Sequence, residues 1–193
     1  MFETLWKDIL NRVKMSEEDF DFGKTLLIPK KLRKRQYLLQ NGDVCKTLAF
    51  VSKGCLRQYS LDDVGKEHIF RFGIEGWWMA DVESFTKQKQ TNNNIDALED
   101  SELLLMSFKS WTDLSLKVPT WEFYFREILA EENHAAITRI SDFVSASAEE
   151  RYLHFLALYP DLFQRVPLYQ IASYLGVTPQ SLSRIRKELT KHS

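Results

Sequence analysis

Gln180, Ser183, Arg184 and Lys187 recur at helical spacing directly behind the pair Thr178-Pro179. Gln and Arg are the side chains that pair bidentately with adenine and guanine edges in the DNA major groove. Ser181 and Ser183 can serve phosphates or base edges, and Arg186 and Lys187 can reach the phosphate backbone. After Pro167 the only acid is Glu188, against Arg184, Arg186, Lys187 and Lys191, a local basic bias that suits a polyanion.

Such side chains read DNA only if a rigid element holds them in a groove. The flanking sequence supplies one. Ala172 is small where one helix must let another approach. Gly176, four residues on, tolerates the left-handed backbone that ends a helix. Thr178 can cap the following helix through its hydroxyl, and Pro179 suits its first position. Ile171, Leu175, Val177, Leu182, Ile185 and Leu189 form the inward set. The pattern predicts a helix-turn-helix across 167–189, with Thr178, Pro179, Gln180, Ser181, Ser183, Arg184, Arg186 and Lys187 toward DNA.

The whole chain is not a polycation. Its 193 residues carry a net charge of −1, so any DNA binding must come from this local patch. Apolar residues make up 44% and aromatics 13%, enough to build cores rather than a disordered chain. Cys45 and Cys55, separated by nine residues, are the only cysteines and make neither a disulfide framework nor a zinc site. No apolar run approaches a membrane span, and the amphipathic start (Phe2, Leu5, Trp6, Ile9, Leu10, Val13) lacks a signal-peptide core. A cytoplasmic protein without membrane or metal partners is expected. No catalytic constellation stands out, since Asp81 with His68 and Glu99 with Asp100 are neighbours only. An enzyme is not expected.

Three textures follow one another. Residues 1–29 look helical, with Ser16 as a cap and Pro29 as a stop. Residues 30–110 read as short strands punctuated by turns at Asn41-Gly42-Asp43, Lys53-Gly54 and Asp62-Asp63-Val64-Gly65-Lys66, the pattern of an antiparallel roll. Residues 120–146 lack Gly and Pro and read as one long helix. On it Leu129, Ala136, Ile140 and Phe143 follow at spacings of seven, four and three, a coiled-coil-like seam for a homodimer. Ser147 begins another helix, which Pro160 ends. The expected fold is α+β: an antiparallel β-roll with flanking helices over 1–119, a dimerisation helix over 120–146, and an all-α, winged-helix-like helix-turn-helix over 147–193. Because the chain ends at Ser193, a reduced wing is expected.

This order resembles the Crp/Fnr family of bacterial transcription regulators. The resemblance rests on Gln40-Asn41-Gly42-Asp43, Val51-Ser52-Lys53-Gly54, Gly76-Trp77-Trp78-Met79-Ala80-Asp81, Ala97-Leu98-Glu99-Asp100-Ser101-Glu102 and the helix-turn-helix. It implies a homodimer on a two-fold symmetric duplex DNA site, controlled by a signal bound in a cyclic-nucleotide-binding-like roll, with RNA polymerase as a partner. In the cyclic-AMP receptor type, Arg, Glu and Arg contact bases at the places held here by Pro179, Gln180 and Arg184. A different operator is implied, with Arg184 taking a guanine and Gln180 an adenine.

The same resemblance sets expectations for the effector. Cyclic-nucleotide-binding members hold the ribose with a Glu and the cyclic phosphate with an Arg about ten residues on. Here Asp81 stands for the Glu, and Thr91-Asn92 stands near the Arg position. A buried phosphate needs a fixed cation or a nest of donors. Cyclic AMP is therefore not expected, no cofactor is expected, and the small-molecule effector is unidentified. Trp77, Trp78, Asp81, Thr91 and Asn92 are the candidate pocket residues, with at most one of the adjacent tryptophans facing the roll interior. Two cysteines cannot ligate an iron–sulfur cluster, and four scattered histidines do not mark a haem. A competing expectation is an interaction module whose helix-turn-helix packs on a protein. It differs in one respect: the polar face of 178–187 would be covered by protein.

Overall fold

The computed structural model describes residues 1–192. Two compact units emerge, one formed by Met1–Leu61 with Phe70–Ala130, the other by Asp62–Ile69 with the chain from Glu131 onward.

The first unit opens with α1 (Phe2–Arg12) and α2 (Glu17–Lys24). Ser16 caps α2, its hydroxyl accepting from the Asp19 N–H at 3.1 Å. The helical stretch expected to end at Pro29 ends earlier. Pro29 lies inside β1 (Leu27–Leu32), an edge strand, which is where a residue without an N–H is tolerated in a sheet. Lys30 and Lys31 on the same strand keep that edge charged. There follow β2 (Tyr37–Leu39), β3 (Thr47–Lys53), β4 (Leu56–Leu61), β5 (Glu67–Gly73), β6 (Trp78–Met79), α3 (Val82–Lys87), β7 (Asn93–Ala97) and β8 (Ser101–Ser107). They form two four-stranded sheets, in the orders β1-β8-β3-β6 and β2-β7-β4-β5. The expected roll is therefore present. Helices α4 (Phe108–Lys117) and α5 (Pro119–Ser145) follow it.

Strand alternation separates two cores. Ala49, Val51, Met79 and Leu103 from one sheet meet Leu39, Leu56, Ile95 and Ala97 from the other. The intervening residues Phe50, Trp78, Leu104 and Met106 point to the opposite face, against Leu5, Ile9, Leu114, Trp121 and Tyr124 of the helices. The Trp78 indole N–H donates to the Tyr124 hydroxyl at 3.0 Å, which in turn donates to Asp8 at 2.6 Å. An aromatic body with a satisfied polar tip suits a buried helix–sheet seam.

The second unit contains the later turns of α5, then α6 (Ala148–Leu158), α7 (Leu162–Arg165), α8 (Leu168–Leu175) and α9 (Pro179–His192). Ser147 and Glu150 close a reciprocal capping box on α6, as the Ser147-Ala148-Glu149-Glu150 sequence predicts. Among the described residues this unit adds no strand beyond the start of β5. The segment expected as a separate dimerisation helix is one continuous helix, and the division between the units falls within it.

Phe143, one of the expected seam residues, also packs on residues of the helix-turn-helix unit. Its ring lies 5.4 Å from the Arg139 guanidinium and 5.2 Å from that of Arg151. A Cβ built on Gly176 would meet its Cε1 at 2.6 Å. Phe143 thus serves the packing of the helix-turn-helix. Leu129, Ile137, Ile140 and Val144 are exposed by 56, 57, 65 and 84%, and Phe143 by 44%. At 100° per residue Leu129, Ala136, Ile137, Ile140 and Val144 share one face, and Phe143 falls at its margin.

Candidate nucleic-acid interface and effector pocket

Helices α8 and α9 pack through Ile171, Ala172, Leu175, Leu182 and Ile185, all buried. Gly176 sits between them at φ +67°, the left-handed turn the sequence calls for. The Thr178 hydroxyl accepts from the Ser181 N–H at 3.1 Å and starts α9. Leu182 and Ile185 are pinned inward, so the opposite face is set. Gln180, Ser183, Arg184 and Lys187 are all exposed and fall within an arc of about 100°. Thr178 and Pro179 are exposed at its start.

Two of the sequence candidates lie off this face. Ser181 is half-buried, and its hydroxyl accepts from Thr178 Oγ1 at 3.0 Å, so it completes the cap. Arg186 is half-buried on the flank toward Leu182, its guanidinium 5.0 Å from the Phe163 ring centre. Neither is in the arc that faces outward, because helical periodicity places residues 181 and 186 beside the buried pair.

In the roll, Asp81 is buried and caps α3, accepting from the Ser84 N–H at 2.9 Å. It also accepts from the Thr91 hydroxyl and from Asn93 Nδ2, the latter at 2.8 Å. Burial pushes its pKa up, but the three hydrogen bonds outweigh that and hold the carboxyl below its usual value. Lys87 and Lys89, the nearest cations in sequence, both pair with exposed Glu83, at 3.0 and 2.6 Å, and hold its pKa down at about 2. The sequence from Asp81 to Asn93 therefore satisfies itself, and neither lysine is directed at a bound phosphate.

Residues 29–117 match the cyclic nucleotide-binding domain family. The fumarate and nitrate reduction regulatory protein of Yersinia pestis is 25% identical over 185 residues, covering 89% of this chain and 72% of that protein. Over most of its length the chain is similar to regulatory proteins of this kind, and residues 29–117 form a cyclic nucleotide-binding-like domain. Solved structures share the fold. FixK2 from Bradyrhizobium japonicum aligns with a TM-score of 0.73 at 19% identity, over 86% of this chain and 85% of its own. The Thermus thermophilus catabolite activator protein aligns with a TM-score of 0.60 at 18% identity, over 96 and 87%.

Of the five expected pocket residues the roll brings Asp81 and Thr91 together, while the other three lie apart from them. Trp78 belongs to the helix–sheet core, and Met79 beside it takes the inter-sheet position. Trp77 is half-buried, 6.0 Å from the Arg71 guanidinium. Asn92 is exposed, and its neighbours Asn93 and Asn94 are the ones turned to hydrogen bonds, with Asp81 and with the Asn41 N–H. A cleft of about 300 Å³ at Leu38, Leu39, Asp43–Thr47 and Ile95 is lined by none of the five candidates. Alternation in a two-residue strand decides this, and the sequence did not say which tryptophan begins it.

One constellation went unread in the sequence. Arg57 donates to Asp96 through Nε at 2.8 Å and Nη2 at 3.0 Å, with both side chains buried. The guanidinium lies 4.2 Å from the Tyr59 ring centre. Arg57 and Asp96 are register partners on β4 and β7. Leu56 points between the sheets, so Arg57 points away from the inter-sheet core and does not replace the missing phosphate-binding cation. The available signal was a charge inside each of two apolar strands.

The Asp81 cap gives a pH prediction. A group whose folded pKa is depressed contributes stability above its unfolded pKa, about 4, and loses it as pH falls through the folded value. Urea unfolding of the native protein and of Asp81→Asn should differ most at neutral pH. The gap should close progressively below about pH 4. A gap that stays constant down to pH 3 would show that the charge of Asp81 contributes nothing.

Proposed function

We propose that the chain is a homodimeric transcription regulator that reads a two-fold symmetric duplex operator through α9. One observation carries the reading: Gln180, Ser183, Arg184 and Lys187 are open to solvent on one face of a helix whose other face is locked by Leu182 and Ile185. Similarity to regulatory proteins favours DNA over a protein partner for the helix-turn-helix. The exposed apolar stripe on α5 supports pairing with a second copy, which would set half-sites about 34 Å apart. Asn133 is exposed on the same face, between Leu129 and Ile137, where one polar residue can select register.

Cyclic AMP is not the effector in this reading, because Asp81 is engaged by Ser84, Thr91 and Asn93 and its nearest lysines are held by Glu83. The protein works without catalysis or cofactor, with RNA polymerase as its downstream partner. A cytoplasmic location accords with the absence, among the described residues, of a helix long and apolar enough to cross a membrane.

Fluorescence anisotropy on genomic fragments, with native protein and Arg184→Ala, tests this. The substitution should cost about 1–3 kcal/mol and relax preference at one base position per half-site. Lys187→Ala should instead weaken all sequences alike and lower the salt slope by about one unit. Added cyclic AMP should leave affinity unchanged. Unaltered affinity and base preference in Arg184→Ala would remove α9 as the reading element.

A further inference from the structure

A cleft of about 490 Å³ opens within the second unit, between the later turns of α5, α6 and α8. Its size falls in the range of small-molecule sites. Phe143, Phe155, Leu158 and Tyr174 supply most of its lining, with Arg139 and Arg151 among them. The two guanidiniums flank the Phe143 ring, and that of Arg139 also lies 4.2 Å from the Tyr174 ring centre.

Two arginines and one carboxylate lie on the lining. Arg151 donates to the carbonyls of Leu175 at 3.2 Å and Ala146 at 2.9 Å, and Arg139 donates to that of Tyr174 at 3.0 Å. Carbonyls orient a guanidinium without cancelling its charge. Asp142 is the one carboxylate on the lining, and His154 engages it at 2.9 Å. An apolar cleft with two oriented cations suits a ligand with an apolar body and a single negative end.

A second copy of the chain would leave this cleft open. At 100° per residue Ala135, Thr138 and Asp142 lie about half a turn from Ile137, Ile140 and Val144. The cleft and the exposed stripe are on opposite faces of the same helix.

We propose that this cleft binds a small amphipathic carboxylate, its ring or chain against Phe155 and Leu158 and its carboxylate at the guanidinium of Arg139 or Arg151. The site requires no DNA, so its failure and that of the operator reading are separable. Phe143 links it to the turn, because the same ring abuts Gly176.

Isothermal titration calorimetry on the full chain without DNA provides the test, with 2-naphthoate as probe and 2-naphthylmethylamine as its cationic counterpart. One naphthoate should bind per protomer, with the amine at least about tenfold weaker, the worth of one charged hydrogen bond. Leu158→Trp and Ala135→Trp fill the cleft from two different helices at exposed positions, and each should abolish binding while leaving the circular dichroism spectrum unchanged. Absence of saturable binding, equal affinity for acid and amine, or binding that persists in both tryptophan variants would overturn the proposal.

Discussion

The double variant Ile137→Asp, Ile140→Asp should sediment as a single chain and lose operator affinity by roughly 10²–10⁴-fold. Ile137 and Ile140 are 57 and 65% exposed on a helix whose first turns are anchored by buried Trp121 and Tyr124. A contiguous apolar stripe left in water on an otherwise polar helix face marks a partner site. Four carboxylates brought together across a two-fold axis would repel and would have to give up water. A single reading helix then binds without the effective concentration that its twin provides. The substitutions touch no buried contact, so the helical content should be unchanged. Phe143→Ala is the contrasting variant: it should leave the dimer intact and loosen the packing around Gly176. A double variant that still sediments as a dimer would place the interface elsewhere.

Asp96→Ala should destabilise the roll by about 3–5 kcal/mol, the cost of breaking a buried ion pair from one side. The reason is what remains behind. Arg57 cannot shed its proton and would stay charged in a site where its side chain is only 8% exposed. In thermal unfolding this corresponds to a fall on the order of 10 °C for a chain of this size. Replacing both partners, Arg57→Met with Asp96→Leu, should recover much of the loss, because no uncompensated charge is left. Equal destabilisation by the single and double changes would mean that packing, not charge, is what the pair contributes. The Tyr59 hydroxyl, whose pKa burial pushes well up, lies within 3.4 Å of the Tyr37 hydroxyl and stays neutral beside the pair.

The comparison of sequence with structure divides along the range of the interactions involved. Short-range signals were legible. Gly176 announced a left-handed turn, Thr178 and Ser147 announced caps, and the 182–185 repeat announced a buried face. In each case the deciding partner lies within a few residues. The exposed face of α9, with Gln180 and Arg184 on it, was legible for that reason, and so was the succession of roll, long helix and packed helix pair. What failed needed a partner distant in the chain. Pro29 was read as a helix stop because nothing local says that β8 would accept it as an edge neighbour. The contact of Phe143 with Gly176 went unread because the two lie thirty-three residues apart.

The effector region shows the same division most sharply. The sequence by itself determined that the usual phosphate-binding arginine is absent near Thr91, and that Asp81 replaces a glutamate. Only the tertiary structure decided that Asp81 would cap α3 and be enclosed by Thr91 and Asn93. It likewise turned Trp78 outward to Tyr124 and paired Arg57 with Asp96 across two strands. Residue types limit which hydrogen bonds are possible. Which of them form depends on the register of strands that meet only after the chain has folded.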